Sequence, residues 1–498
     1  MTAGEHESPR PGLLLTRSFI ADYVRNPVNL VVLVLVPLVF VVVAARSLAD
    51  AMELLGGKIG PALETVTAGW AAGFLSSLAM YFQVRSARAA DRRMLIAGLP
   101  PVRLIAARAG TGLLLAGLVS AVALIALALR TGIEDPGRVV VGTLMFALIY
   151  LAIGAVVGVV IANPVNGAVV ILLIWMVDVF FGPGGSGGDK PVSRFFPTHF
   201  VTLWMVDLPS HHGGRLGDLG IAAGWVIGAG VVSAGVLAAS SHTGGRSRPA
   251  SSQFTTALRP GLVDLRRNPV LLVLLVVVPA VFVLLAKATT PARTLIVTVT
   301  DNGISSSRSF WFPEVHAGTM APIAVGALAA LAGMFVVVDS AEGDRRLRVA
   351  GYRTGVAVAA RLSVVAAAVM VICAATLAVT ATVFNARQWA GFAAANLGLG
   401  TTYALIGVII GPLVGRVAGV FIAFLVPFLD LGIAQSPMLR PIPAAWAQAL
   451  PGYGWTKVLF DTGLTEHFDQ TGPLLAGLGW LGILTAAAGL VLSHGRRR

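Results

Sequence analysis

Long apolar runs separated by short polar segments make up most of the chain. A helix needs about 20 predominantly apolar residues to cross the hydrocarbon core of a bilayer. Helix breakers at Asn163-Pro164 and near Arg416 separate runs that would otherwise join. The pattern predicts about 12 transmembrane helices, and hence an all-α polytopic membrane protein. We place the spans near residues 28–47, 66–84, 109–130, 139–162, 164–181, 219–240, 270–287, 317–338, 358–385, 389–415, 416–434 and 473–492.

Composition supports a membrane location. The 498 residues are 56% hydrophobic and only 12% charged, whereas an ordinary soluble protein carries about 25% charged residues. The net charge of +13 would suggest a nucleic-acid partner in a soluble protein. Here the charges lie in short loops, so topology explains them and no nucleic-acid partner is expected. With both termini cytoplasmic, 23 of the 36 Lys and Arg residues fall on the inner side, as the bias of basic residues toward the cytoplasm favours. We therefore expect a multi-pass protein of the cell membrane.

The two halves of the chain share short sequence matches. DYVRNPVNLVVLVLVPLVFVVVA (22–44) and DLRRNPVLLVLLVVVPAVFVLLA (264–286) are identical at 15 of 23 positions. DRRMLIAGLPPVRLIAAR (91–108) pairs in the same way with DRRLRVAGYRTGVAVAAR (344–361). Two further matches, in the same order, align Asp178 with Asp430 and the outer segment 195–207 with 449–461.

These matches predict two tandem halves. Residues 1–240 form the first six-span half, 241–260 a cytoplasmic linker, and 261–498 the second half. An even number of spans gives both halves the same orientation, as in the parallel repeats of some transporters. One chain would then supply a pseudo-dimer with a central seam. The segment before each first span is amphipathic and suits an interfacial lead-in helix.

The inner loops 85–108 and 340–361 are candidates for a docking surface. Each carries an acidic residue with two arginines, then a glycine, then a short helical pattern that ends in arginine. A solvated loop rich in basic residues is one interpretation. A pair of docking helices for a cytoplasmic partner is the other, because Leu95, Ile96 and Leu99 are unusual on a fully solvated loop.

The outer segments that precede each last span mix aromatic and single polar residues, as short re-entrant or interfacial helices do. Asp178 and Asp430 stand inside apolar runs, where a carboxylate is costly and often marks a transport pathway. Structural pairing of these carboxylates remains an equal alternative. The candidates for a pathway or gate are Asp178, Asp430, Pro197, Asp207, Pro451 and Asp461.

The sequence lacks the common nucleotide-binding and catalytic motifs. No GxxxxGK[ST] phosphate-binding loop occurs, nor does a GxSxG or HExxH motif. We expect a chain that is not an enzyme and binds no cofactor or metal itself.

The lead-in that ends in Arg-Asn-Pro, the proline-bearing first span and the DRR…AG…R inner loop resemble ABC-2 type exporter permeases. The chain is most similar to the fused two-half permeases of actinobacterial antibiotic and multidrug exporters of the tetronasin type. The resemblance covers essentially the whole chain. Members of this family often have Glu-Arg-…-Gly-Thr-Leu in the inner loop, whereas this chain has Asp-Arg-Arg without the Thr.

This resemblance implies that a separate P-loop ATPase subunit, in two copies, binds ATP and Mg²⁺ and energises export of hydrophobic or amphipathic compounds, such as antibiotics, drugs or lipids. It also implies the residues that dock the ATPase. These are Asp91, Arg92, Arg93, Gly98, Asp344, Arg345, Arg346 and Gly351.

Two other functions remain open from the residues. The first is a proton-coupled secondary transporter of twelve spans, in which Asp178 and Asp430 carry protons. The second is a membrane scaffold or sensor that transports nothing and serves a cytoplasmic partner. Interfacial lead-in helices and long outer segments are features that a proton-coupled carrier does not require.

Overall fold

Helices account for nearly all of the described structure. The computed structural model describes residues 27–54, 60–96, 99–186, 189, 191, 193–208, 211–239, 269–349, 354–437, 439 and 443–494. The predicted lead-in helices and the linker 241–260 therefore lie outside the described residues. In chain order the helices are α1 (Pro27–Val39), α2 (Ala45–Leu54), α3 (Gly60–Ile96), α4 (Pro101–Thr131), α5 (Pro136–Val160), α6 (Pro164–Phe181), α7 (Pro183–Ser186), α8 (His199–Met205), α9 (Leu216–Ala239), α10 (Pro269–Thr289), α11 (Phe312–Val349), α12 (Thr354–Thr380), α13 (Trp389–Pro427), α14 (Gly452–Leu464) and α15 (Thr471–His494).

Shorter turns of other helical types connect some of these elements. A π-helical turn at Phe40–Ala44 joins α1 to α2, and another at Phe428–Ala434 continues α13. Two 3₁₀ turns, Ser193–Phe195 and Ala445–Ala449, precede α8 and α14. Short helices are therefore present, as α8 and α14, in the two segments where the sequence predicts them, and their location on the outer side stays a prediction.

Nine helical segments of the described chain are long and apolar enough to cross a membrane, so the chain is a multi-pass membrane protein. The predicted span 66–84 lies in α3, which is not among the nine and buries polar side chains such as Ser76, Ser77 and Gln83. The apolar part of α10 is shorter, at Val273–Thr289. Spans 389–415 and 416–434 fall in one stretch, Trp389–Ala434. The number twelve stays a prediction.

The predicted breaks between adjoining runs are confirmed. One helix ends at Val160 and the next begins at Pro164. Within the longer stretch, Gly415 leaves the helical conformation with φ 78° and ψ −173°. Glycine adopts this conformation without the steric cost that a β-carbon would impose. The break predicted near Arg416 is thus made by the residue before it.

The chain is mostly helical, as predicted, and one segment forms a β-hairpin that the sequence analysis did not predict. Strands β1 (Thr294–Asp301) and β2 (Ile304–Trp311) pair antiparallel, with Asp301 opposite Ile304 across a two-residue turn. Asn302 and Gly303 both have positive φ, 54° and 74°, as the type I′ turn of a hairpin requires. The alternation of Thr with Val, Ile and Leu in TLIVTVTD, followed by Asn-Gly, is a hairpin signal that the search for apolar runs overlooked.

The chain divides into two compact units. The first comprises Met1–Ala45, Pro61–Asp178 and Asp189–Arg246, and the second comprises Arg46–Gly60, Val179–Gly188 and Ser247–Arg498. In the first unit α5 packs against α4, α8 and α9. In the second unit α11 packs extensively against α13 and also against α10 and α12. Each unit fully buries several large aromatic side chains, including Tyr150 and Trp175 in the first and Tyr403 and Phe421 in the second.

Candidate functional site

Asp178 connects the long helices α5 and α6 of the first unit to the short helix α8. It lies near the end of α6 and is 4% exposed. Its Oδ2 accepts a hydrogen bond of 2.8 Å from the Tyr150 hydroxyl and one of 2.6 Å from Thr198 Oγ1. Thr198 is the residue immediately before α8. The carboxylate therefore joins α5, α6 and the start of α8.

Asp430 has the corresponding position in the second unit. It lies in the π-helical turn after α13 and is also 4% exposed. Oδ2 accepts hydrogen bonds from the Tyr403 hydroxyl at 2.6 Å and the Gly452 backbone N–H at 2.8 Å, and Oδ1 accepts one from Gln435 Nε2 at 3.2 Å. Gly452 is the first residue of α14, and a negative charge at a helix N-terminus is favourable.

Asp178 and Asp430 each have their own hydrogen-bond partners within the chain. Their role in a pathway or gate stays a prediction. Pro197 and Pro451 each lie just before the residue that meets the carboxylate. Sequence reasoning missed the two tyrosines. Their signal is that Tyr150 and Tyr403 have the same separation along the chain as Asp91 and Asp344.

The aligned pair Asp207 and Asp461 have different surroundings. Asp207 is exposed and lies beyond the end of α8. Asp461 is 6% exposed inside α14, where it accepts hydrogen bonds from the Asp469 N–H at 3.0 Å and Thr465 Oγ1 at 3.3 Å. Burial raises the pKa of Asp461 above its ordinary value. The structure therefore does not give these two carboxylates the same role.

Glycines lie where helices approach closely in both units. A β-carbon at Gly154 of α5 would lie 2.0 Å from the carbonyl oxygen of Ser77 in α3. One at Gly407 of α13 would lie 2.0 Å from the carbonyl oxygen of Ala330 in α11. Small residues allow membrane helices to approach this closely.

Two further glycine pairs repeat the arrangement. Gly73 would meet the ring of Tyr150 at 2.9 Å, and Gly326 would meet the ring of Tyr403 at 3.2 Å. The backbone oxygens of Tyr81 and Met334, each 3.1 Å from the added carbon, face Gly158 and Gly411 in the same way. All of these pairs share the sequence offset that separates Asp91 from Asp344. The two units thus contain the same contacts at matching positions.

An ion pair joins the two helices that flank the predicted inner loop 85–108. Asp91, near the end of α3, accepts a hydrogen bond of 2.6 Å from Arg108 Nη2 of α4, and the Arg108 side chain is 9% exposed. Arg93 is exposed. Asp91 is therefore engaged within the chain.

The structure describes only part of the other predicted docking residues. Gly98 and Gly351 lie outside the described residues, and the side chains of Arg92, Asp344, Arg345 and Arg346 do as well. The backbone of Asp344, Arg345 and Arg346 belongs to the end of α11, as that of Arg92 and Arg93 belongs to the end of α3.

A polar cluster precedes α8 in the first unit. The Arg194 guanidinium donates a bidentate pair of hydrogen bonds to the Asp189 carboxylate. This contact holds the pKa of the Asp189 carboxyl at about 2. His199 Nε2 lies 3.0 Å from Asp189 Oδ1. Burial lowers the pKa of His199 below its ordinary value, and its bond to Asp189 only partly offsets this effect. In the described part of the chain, no group of three or more His, Cys, Asp and Glu side chains could hold a metal ion.

Comparison with known proteins finds one family match, in the first half of the chain. Residues 67–239 match the family described as ABC-2 family transporter protein. No curated protein sequence matches the chain. The family match supports an ABC-2 type permease, a transport subunit in the membrane.

Proposed function

We infer that this chain is the permease of an ATP-driven exporter, with two permease halves fused in one polypeptide. The observation that carries this proposal is the match of residues 67–239 to the ABC-2 transporter family. Matched glycine contacts, such as Gly154 with Ser77 and Gly407 with Ala330, extend the proposal to the second half. The Tyr–Asp hydrogen bonds at the short helices α8 and α14 support the same extension.

Energy would come from a separate P-loop ATPase, which binds ATP and Mg²⁺ and docks on the inner loops 85–108 and 340–361. Two copies of the ATPase suit two equivalent loops. The exposed Arg93 and the ion pair of Asp91 with Arg108 support this assignment. Arg93 would contact the partner, while Asp91 would hold α3 against α4. Both termini would be cytoplasmic, so that the inner loops face the ATPase.

The cargo would be hydrophobic or amphipathic, either drug-like molecules such as antibiotics or lipids, and it would move out of the cell. Apolar side chains form most of the buried surface of both units. Water-soluble sugars and ions would find few partners there, because a polar group costs free energy when it is buried without a hydrogen bond.

Charge reversal on the inner loops tests the docking. We expect the fourfold variant Arg92→Glu, Arg93→Glu, Arg345→Glu and Arg346→Glu to lose co-purification of the ATPase and the ATP hydrolysis that substrate stimulates. Its thermal unfolding midpoint should stay within a few degrees of the parent. Arg215→Glu, at an exposed residue on the predicted outer side, is the control and should keep the ATPase. Retention of the ATPase by the fourfold variant would refute the docking surface.

A further inference from the structure

Two side chains of α3 contact the break between α5 and α6 in the first unit. Arg88, three residues before Asp91, donates a hydrogen bond from Nη2 to the Val159 carbonyl in the last turn of α5. The Tyr81 hydroxyl donates one of 3.0 Å to the Asn163 carbonyl, which lies in the break itself. The helix that carries the first predicted docking residues therefore holds the chain just before and within this break.

The second unit makes the corresponding connection with an ion pair. Arg416 directly follows Gly415, the residue at which α13 leaves the helical conformation. Its Nη2 donates a hydrogen bond of 2.6 Å to Asp339 Oδ1. Asp339 belongs to α11 and lies five residues before Asp344, one of the second set of predicted docking residues. The ion pair thus joins the end of α11 to the break in α13.

Glycines bring the helix after each break against the same long helix. A β-carbon at Gly167, in the first turn of α6, would overlap the ring and hydroxyl of Tyr81. One at Gly419, in the part of α13 that follows the break, would overlap the sulfur of Met334 in α11. Because these contacts are so close, a displacement of α3 or α11 must also displace the helix that follows the break.

The helices after the breaks lead to the buried carboxylates. Asp178 accepts a hydrogen bond from Thr198, the residue before α8. Asp430 accepts one from the N–H of Gly452, the first residue of α14. At a rise of 1.5 Å per residue, α6 covers about 20 Å between Pro164 and Asp178. Each unit therefore has a continuous series of contacts from the end of its long helix, α3 or α11, to its short helix, α8 or α14.

We propose that these contacts couple the two ends of each unit, so that a movement of the predicted docking loops displaces α8 and α14. Tyr81 and Arg88 are the positioning residues of the first unit, and Asp339 and Arg416 are those of the second. Packed side chains, hydrogen bonds and rigid helices are the physical means by which distant sites are coupled. The proposal rests on the proposed function, since the movement comes from an ATPase that binds the loops.

The ion pair of the second unit can be broken with little damage to the fold. The side chains of Arg416 and Asp339 are 46% and 38% exposed, and exposed ion pairs contribute little to folding stability. Arg416→Ala therefore removes the connection and should leave the thermal unfolding midpoint within a few degrees of the parent. Exchange of the two charges, Asp339→Arg with Arg416→Asp, restores an ion pair of opposite polarity.

Amide hydrogen exchange in the complex tests the coupling. The full chain and its ATPase, purified together in lipid nanodiscs, would be compared with and without AMP-PNP and Mg²⁺, and exchange in α8 and α14 followed by mass spectrometry. We expect the nucleotide to change exchange in both short helices of the parent. In Arg416→Ala the response of α14 should fall about threefold, as the energy of one exposed ion pair allows, while that of α8 stays. The charge exchange should recover most of the lost response.

Variants of the first unit should give the reciprocal result. Tyr81→Phe with Arg88→Met removes both hydrogen bonds to the break, and should weaken the response of α8 while that of α14 stays. Arg138→Ala, which breaks an ion pair with Asp135 outside these contacts, is the matched control and should keep both responses. An unchanged response of α14 in Arg416→Ala would overturn the proposal, as would a loss that the charge exchange does not restore.

The outcome is separable from that of the proposed function. A complex that binds the nucleotide but shows no response in α8 and α14 would refute the coupling and leave the exporter assignment in place. A permease that recruits no P-loop ATPase would refute the exporter assignment, and the coupling with it.

Discussion

The Tyr150 hydroxyl donates a hydrogen bond of 2.8 Å to Asp178 inside the first unit. Tyr403 and Asp430 repeat the relationship in the second unit at 2.6 Å. In both units the carboxylate also meets the start of a short helix. The second carboxylate is better satisfied, because Gly452 and Gln435 both donate to it. Asp178 Oδ1 is buried and has no hydrogen-bond partner among the described residues.

This asymmetry predicts unequal costs for removing the two hydroxyls. Tyr150→Phe leaves Asp178 with the donor Thr198 and should lower the free energy of unfolding by about 1–3 kcal/mol, the cost of an unsatisfied buried polar group. Tyr403→Phe should cost less. SDS titration of the purified chain would measure both, with Tyr453→Phe as the control near zero. A larger loss for Tyr403→Phe than for Tyr150→Phe would contradict the interpretation.

Close helix contacts predict that glycine replacements depend on position. Gly154→Ala or Gly407→Ala would place a methyl group 2.0 Å from a backbone oxygen, and the helices would have to separate. We expect a loss of about 3 kcal/mol or more, at the upper end of overpacking effects, seen as little folded protein in size-exclusion chromatography of detergent extracts.

Glycines on open helix faces serve as controls for these replacements. Gly224 and Gly479 have no atom near an added β-carbon, so their replacement by Ala should be neutral or stabilise by about 0.5–1 kcal/mol. Equal yields from Gly154→Ala and Gly224→Ala would show that the α3–α5 contact is looser than described.

The buried imidazole of His199 predicts a pH dependence of stability. Burial lowers the pKa of His199 in the folded state, so the unfolded state binds more protons just below pH 6.5 and stability falls as the pH decreases through that range. The unfolding midpoint should therefore drop between pH 7.5 and pH 5.5. His199→Gln should flatten this part of the profile, and an unchanged slope would assign it to other groups.

Asp189 predicts a second, more acidic window. Because Arg194 holds the pKa of Asp189 at about 2, its contribution is present above the ordinary pKa of about 4 and is lost as the pH falls toward 2. Asp189→Asn should remove this contribution, so that the variant and the parent converge in stability at pH 2. A constant difference between them from pH 6 to pH 2 would contradict the effect.

The hairpin turn predicts that replacing Gly303 will destabilise the hairpin locally. Its φ of 74° is costly for a residue with a β-carbon, by about 1–2 kcal/mol. Gly303→Ala should therefore speed amide hydrogen exchange in β1 and β2 without changing exchange in α11. Ser307→Ala, in the middle of β2, should leave the exchange as it is. Equal exchange in both variants would argue against a type I′ turn.

Much of this molecule follows from local sequence. A run of about 20 apolar residues in a bilayer must satisfy its own backbone, and a helix does this within one segment. For this reason the predicted runs correspond to helices, and the breaks at Asn163-Pro164 and next to Arg416 are found where the helix breakers stand. The repeated carboxylates Asp178 and Asp430 were also visible in the sequence, because charge inside an apolar run is conspicuous.

Only the tertiary structure gave these residues their partners. Tyr150 lies 28 residues from Asp178, and no local pattern connects the two positions. The same holds for Gly154 against Ser77 and for Arg108 against Asp91, since such contacts arise when separate helices cross. Local periodicity determines which segments are helices, and side-chain complementarity between those helices decides which residues meet.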